Sequence, residues 1–149
     1  MNKLKIIIID DELPAREIIK NYLQKNPNIE IIAECENGFE AVKCINELRP
    51  DLIFLDIQMP KLSGFEVVEL IEHKPKIIFT TAFDQYAIKA FEANASDYLL
   101  KPFLQSRLET AINKINVSND SDKKQNIYDN FLEIKDDYLT RIAVKSNNK

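Results

Sequence analysis

Five short apolar runs alternating with five helically patterned segments predict an α/β fold, a doubly wound parallel sheet with helices on both faces. Two observations carry that reading. The short runs at residues 6–9, 29–33, 52–55, 77–79 and 98–100 are rich in β-branched or large apolar residues, the pattern of strands buried on both faces. The segments between them repeat apolar residues at helical spacing, and short strand-to-helix connections imply right-handed crossovers between parallel strands.

Taken in order, the first run ends in Asp10-Asp11 and leads into a helix with Pro14 in its first turn and Ala15, Ile18, Ile19 and Tyr22 on one face. Pro27 marks the return into the second strand. Asn37 then starts a helix carrying Ala41, Ile45 and Leu48, and Pro50 returns the chain to the third strand, which ends in Asp56. Ser63 starts the third helix, with Leu62, Phe65, Val67 and Leu70, and Pro75 precedes the fourth strand, which ends in Thr80-Thr81. Asp84 is a fourth helix-starting residue, ahead of Tyr86, Ala87, Ala90 and Phe91. The fifth strand ends in Lys101-Pro102, and Leu104, Leu108, Ala111, Ile112 and Ile115 form the last helical face.

This pattern fills residues 1–116, the size of one domain. Residues 117–130 begin with a polar stretch, Ser118 to Lys124, of linker composition. Apolar residues resume over 131–149 (Phe131, Leu132, Ile134, Tyr138, Leu139, Ile142 and Val144), too few to fold alone, so a truncated second domain is expected there.

Composition narrows the class. With 45% hydrophobic and 30% charged residues the chain is globular in character, and no apolar run reaches the length needed to cross a bilayer. The short apolar start runs straight into acidic residues, unlike a signal peptide. Cys35 and Cys44 form no CxxC or disulfide framework, so reduced thiols and a cytoplasmic location are expected. Net charge is −4 without a basic cluster, which gives this stretch no means of holding DNA itself.

In an open parallel sheet, functional groups gather at the carboxyl ends of the strands. There Asp10, Asp11 and Asp56 would meet Thr80, Thr81 and Lys101. Clustered carboxylates repel one another, and a hard divalent cation with oxygen ligands neutralises them; Mg²⁺ fits better than zinc because no histidine or cysteine is placed to ligate. A metal-bound carboxylate can serve as nucleophile toward a phosphoryl group, with Lys101 and a threonine hydroxyl pairing with the phosphoryl oxygens. Each feature also has a plainer reading. An acidic pair can simply start a helix, lysine and threonine are ordinary at strand ends, Tyr98 can be core, His73 reads as a surface imidazole, and Phe83, Tyr86 and Phe91 read as core or interface.

The stretches Ile6-Ile-Ile-Ile-Asp-Asp-Glu12, Leu52-Ile-Phe-Leu-Asp-Ile-Gln-Met-Pro60 with Ser63-Gly64, Thr81-Ala82 and Tyr98-Leu-Leu-Lys-Pro-Phe103 together resemble the two-component response regulator receiver family, collinearly over residues 3–116. The resemblance implies a flavodoxin-like, CheY-like (βα)5 fold with strand order 2-1-3-4-5. It makes Asp56 the phosphoacceptor and Asp11 a direct Mg²⁺ ligand, with Asp10 acting mainly through water and the Gln58 backbone carbonyl completing the set. It makes Thr81 the switch hydroxyl, Tyr98 the aromatic that turns inward with it, and Lys101, before a cis proline, the phosphoryl contact. It implies a sensor histidine kinase as partner and dimerisation through the face of the fourth helix, fifth strand and fifth helix. Phosphorylation and dephosphorylation are then self-catalysed, and the chain is otherwise not an enzyme.

Residues 79–92 with Asp97-Tyr98, and 138–145, resemble the LytTR-type branch, whose β-rich DNA-binding domain follows the receiver; DNA would be held only by that missing part. A haloacid dehalogenase-type phosphatase shares the chemistry, but it needs a second aspartate two positions after the nucleophile, where this chain has Gln58. A nucleotide-binding fold lacks its glycine motifs. A stand-alone receiver acting by protein contact is the other reading of the output.

Overall fold

The computed structural model describes residues 3–115. Its elements are β1 (Leu4–Ile9), α1 (Leu13–Leu23), β2 (Ile29–Cys35), α2 (Gly38–Leu48), β3 (Leu52–Asp56), α3 (Gly64–Leu70), β4 (Lys76–Thr81), a 3₁₀ turn (Asp84–Tyr86), α4 (Ala87–Glu92), β5 (Asp97–Leu100) and α5 (Gln105–Ile115). All strand pairings are parallel, in the order β2-β1-β3-β4-β5. The expected doubly wound sheet is therefore present. The chain order reverses between β1 and β3, so the loops after these two strands diverge and leave a crevice at their carboxyl ends.

Alternate residues of each strand supply two cores. Ile7, Ile9, Ile53, Leu55, Ile77 and Phe79 pack with Ala41 and Ile45 of α2, Val67 of α3 and Ala87 and Ala90 of α4. Ile6, Ile8, Leu52, Phe54, Ile78 and Leu99 pack with Ile19 and Leu23 of α1 and Leu108, Ala111 and Ile112 of α5. Burial on both sides is why the strands read as unbroken apolar runs. The edge strand β2 is the exception, fully buried only at Cys35; the ends of the sheet's strands carry the polar residues.

Helix starts follow local chemistry. Asn37 accepts a hydrogen bond from the Glu40 amide at 2.8 Å, and Ser63 with Glu66 forms a reciprocal capping box. Asp84 does not act as a cap: a 3₁₀ turn precedes α4, its own cap position is Phe83, and no side chain caps it. The strands run further than the apolar cores suggested, because polar ends such as Asp56 and Thr80-Thr81 continue the ladder.

Four residues expected on core faces are exposed, namely Ile18, Leu48, Leu70 and Leu104. Leu48 and Leu70 are the last residues of their helices and Leu104 precedes α5, where the helix surface turns off the sheet. At the Ile18-Ile19 pair only Ile19 faces inward, adjacent helical residues being about 100° apart. His73 is not a solvated imidazole either, since it is half-buried and its Nε2 lies 2.7 Å from the Pro50 carbonyl oxygen. No helix among the described residues is long and apolar enough to cross a membrane. The expected linker at 117–130 and second-domain start at 131–149 lie outside the described residues, as does residue 116.

Candidate functional site

The carboxyl ends of β1 and β3 place Asp10, Asp11 and Asp56 so that one oxygen from each lies within 4.8 Å of the others. Asp10 is completely buried and its oxygens are both engaged: Oδ1 accepts from the Glu12 amide at 2.9 Å and Oδ2 from Lys101 Nζ at 2.8 Å. Lys101, at the end of β5, is also 3.6 Å from Asp56 Oδ1. Asp11 Oδ1 is buried and has no hydrogen-bond partner among the described residues. A buried carboxylate oxygen without a donor is costly, and a cation is the natural occupant beside it.

The electrostatics point the same way. Burial, followed by the charge of Asp10, pushes the Asp56 carboxyl up to about 7 although Lys101 opposes this. Burial acts to lower the Lys101 ammonium, yet its hydrogen bond to Asp10 and the charge of Asp56 outweigh that and leave it raised. Three ionised carboxylates against one ammonium leave two negative charges, the amount a divalent cation cancels. All-oxygen donors suit Mg²⁺, and the residues present therefore fit it.

Thr80 and Thr81 are both buried at the end of β4. Thr80 uses its carbonyl to receive the Ile57 amide at 3.0 Å, while the Thr81 carbonyl receives the Lys101 amide at 2.8 Å. Thr81 Oγ1 accepts a hydrogen bond from the Phe83 amide at 3.2 Å. Tyr98, 1% exposed, donates its hydroxyl to the Phe83 carbonyl, so the ring already lies inward. Phe83 thus joins Thr81 to Tyr98 through its own backbone. The Lys101–Pro102 peptide bond is cis.

Gln58 lies on the rim. With Asp11, Ser63, Phe65, Tyr86 and Lys89 among others it lines a cleft of about 600 Å³, and its Nε2 donates to the Tyr86 hydroxyl at 2.9 Å. The start of α3 is drawn tight against the site: a Cβ on Gly64 would stand 2.5 Å from the Asp56 carbonyl oxygen. The Gly64 amide donates to the Ile57 carbonyl at 2.9 Å, fixing the loop after β3.

Sequence reasoning missed three contributors. Arg16 donates from Nη1 to the Asp10 carbonyl at 2.7 Å and pairs through Nε with Glu34 at 3.2 Å, anchoring the acidic loop to β2. Tyr86 holds Gln58, and Gly64 permits the approach of α3. For Arg16 the only signal was an arginine one turn into a helix after an acidic pair; for Gly64 it was one of only two glycines, placed just after a helix cap.

The response regulator receiver domain family model matches residues 6–113. The chain is 51% identical over 114 residues to the transcriptional regulatory protein BtsR of Escherichia coli, covering 75% of this chain and 48% of that protein. The chain therefore spans about half the length of such curated relatives. Among solved structures, the response regulatory domain of mrkE from Klebsiella pneumoniae superposes with a TM-score of 0.69 at 32% identity, covering 81% of this chain and 98% of that one. The REC domain of AraT from Geobacillus stearothermophilus gives 0.68 at 34% identity, covering 75% and 92%. With its sheet order, its acidic crevice and the cis proline beside Lys101, the chain belongs to the response regulator receiver domain family.

Proposed function

We propose that this receiver accepts a phosphoryl group on Asp56 from a sensor histidine kinase and transmits the event by a change at the α4-β5-α5 face. The observation that carries the reading is the position of Asp56: buried, raised to about 7, and flanked by Asp10, Asp11 and Lys101. A bound Mg²⁺ would supply charge that keeps Asp56 ionised and screens the incoming phosphoryl oxygens. Asp11 and Asp56 would hold it directly, with the Gln58 backbone carbonyl, while Asp10, whose two oxygens are already engaged, acts at second hand.

An Asp56 carboxylate oxygen attacks phosphorus, the bond from phosphorus to the donor's leaving atom breaks, and the electron pair departs with the donor. Lys101 moves its ammonium onto a phosphoryl oxygen. Thr81 donates its hydroxyl to a second, which draws on the same oxygen that now accepts from Phe83. Release of the Phe83 amide then alters the loop that also holds Tyr98. The chemistry is self-catalysed at Asp56 and acts on no outside substrate in turnover; position 58 is glutamine, with no carboxyl to serve as a general acid. Dimerisation through α4-β5-α5 and an output through a LytTR-type DNA-binding domain complete the proposal, supported by the transcriptional relatives, of whose length the match covers 48%.

The test is intact mass after incubation with Mg²⁺ and a small acyl phosphate. One added phosphoryl mass that requires Asp56 and is lost with a chelator is expected. Addition that survives Asp56→Asn, or none at all, removes the reading.

A further inference from the structure

We propose that Arg16 is a positioning residue that sets the preference of the acidic crevice for Mg²⁺ over the larger Ca²⁺, by fixing the backbone on both sides of Asp11. The inference rests on the reading that Asp11 and Asp56 hold the cation. Arg16 lies one turn into α1 and grips the loop after β1 at two carbonyls. Its Nη1 donates to the Asp10 carbonyl at 2.7 Å, and its backbone amide donates to the Glu12 carbonyl at 3.3 Å. Asp11 stands between those two carbonyls, and its Oδ1 is the buried carboxylate oxygen without a hydrogen-bond partner among the described residues.

The side-chain half of that grip is held from outside the site. Arg16 Nε pairs with Glu34 Oε1 on β2 at 3.2 Å, and the other Glu34 oxygen pairs with Lys20 at 3.0 Å. The Arg16 side chain is only 11% exposed, so its planar fork has little freedom to turn. The next residue of β2, Cys35, receives the Asp10 amide on its carbonyl at 3.1 Å. The loop is thus tied to β2 once directly and a second time through Arg16. Glu34 also balances the guanidinium charge, so the brace stiffens the loop with little added repulsion of a cation.

Stiffness discriminates between the two ions. Mg²⁺ is small and accepts only near-octahedral geometry, whereas Ca²⁺ takes more oxygen ligands at longer and more variable distances. A loop free to shift therefore costs Mg²⁺ more than Ca²⁺. A change of nearby charge acts on both divalent ions alike, so the ratio of the two affinities reports position and not charge.

The test is calorimetric titration with MgCl₂ and with CaCl₂, without a phosphoryl donor, of the native chain, Arg16→Lys, Arg16→Met and Glu34→Gln. Partners that orient metal ligands from outside are worth roughly ten- to hundredfold in affinity. Both Arg16 variants are expected to lower the Mg²⁺-to-Ca²⁺ affinity ratio by about tenfold, the lysine because a compact ammonium keeps the charge without reproducing the fork. Glu34→Gln still offers Nε an acceptor, and should weaken both ions alike with a native ratio. A merely destabilising change would lower the melting temperature and both affinities together, leaving the ratio native. A native ratio in Arg16→Lys therefore overturns the positioning role while leaving the cation at Asp11 and Asp56, and this variant decides alone if Arg16→Met does not fold. A native chain that binds no Mg²⁺ overturns this inference together with the metal reading.

Discussion

The Lys101 ammonium is bound to Asp10 Oδ2 at 2.8 Å, closer than the 3.6 Å that separates it from Asp56 Oδ1. In this arrangement the lysine neutralises the most buried carboxylate of the site. A phosphoryl group on Asp56 offers it a more highly charged partner, so phosphorylation asks Lys101 to leave Asp10, and Asp10 to find its compensation in the cation.

Replacing Lys101 separates loading from response. Lys101→Ala is expected to retain Mg²⁺-dependent phosphorylation of Asp56 but to lose the accompanying change at α4-β5-α5. Amide hydrogen exchange of the phosphorylated variant checks this; a native-like change in that face counts against the role given to Lys101. The cation-free variant should also lose about 2 kcal/mol of stability, less than for a fully buried pair because a quarter of the lysine side chain is exposed.

Asp56 makes metal-free stability depend on pH with a definite sign. Its carboxyl titrates near 7 in the folded chain against an ordinary value of 3.8. Its protonated form is thus favoured by folding, a contribution fully present below pH 3.8 and lost as pH rises through 7. Asp56→Asn removes that penalty. In chelator at pH 8 the variant should be more stable by up to about 4 kcal/mol, and the gain should vanish near pH 4. Urea midpoints at the two pH values measure it.

Protons and Mg²⁺ compete for the same carboxylate. Below pH 7 the apparent dissociation constant for Mg²⁺ should rise by about tenfold per unit of pH, and above it should level off. Calorimetric titration between pH 5.5 and 8 reads this directly. Asp11→Asn should weaken binding at every pH, because it removes the anionic charge of the carboxylate whose Oδ1 has no protein donor.

Gly64 is required by space. A Cβ there would stand 2.5 Å from the Asp56 carbonyl oxygen and 3.1 Å from the Ile57 Cα, both backbone atoms that cannot swing aside. Gly64→Ala is expected to cost about 1–3 kcal/mol and to slow phosphorylation by displacing the loop that carries Gln58. Thermal unfolding and the loading rate should change together; a change in stability alone would place the effect outside the site.

What was legible in the sequence was set by local periodicity and by topology. The runs of β1, β3, β4 and β5 appear where residues are buried on both faces, whereas the β2 run is only partly buried at the sheet edge, and the parallel alternation alone brings Asp10, Asp11, Asp56 and Lys101 to one end of the sheet. Asn37 and Ser63 cap as expected because their bonds reach only three residues ahead. Asp84 fails because the loop before it is committed elsewhere, with the Phe83 amide and carbonyl held by Thr81 and Tyr98. Ile18 and Leu70 mislead because an apolar residue at helical spacing need not face the sheet when a neighbour already does or when the helix ends there. The Gln58–Tyr86 bond and the Arg16 contact to Asp10 join residues whose partnership no spacing rule encodes.

The junction at Phe83 has a bearing on how such a domain can diverge. Both of its links to the switch residues are made by main-chain atoms, whereas its side chain is 43% exposed. Any amino acid except proline can supply that amide and carbonyl. Descendants of this chain are therefore free to rewrite the visible surface at position 83, and with it whom the domain meets, while inheriting the internal wiring unaltered.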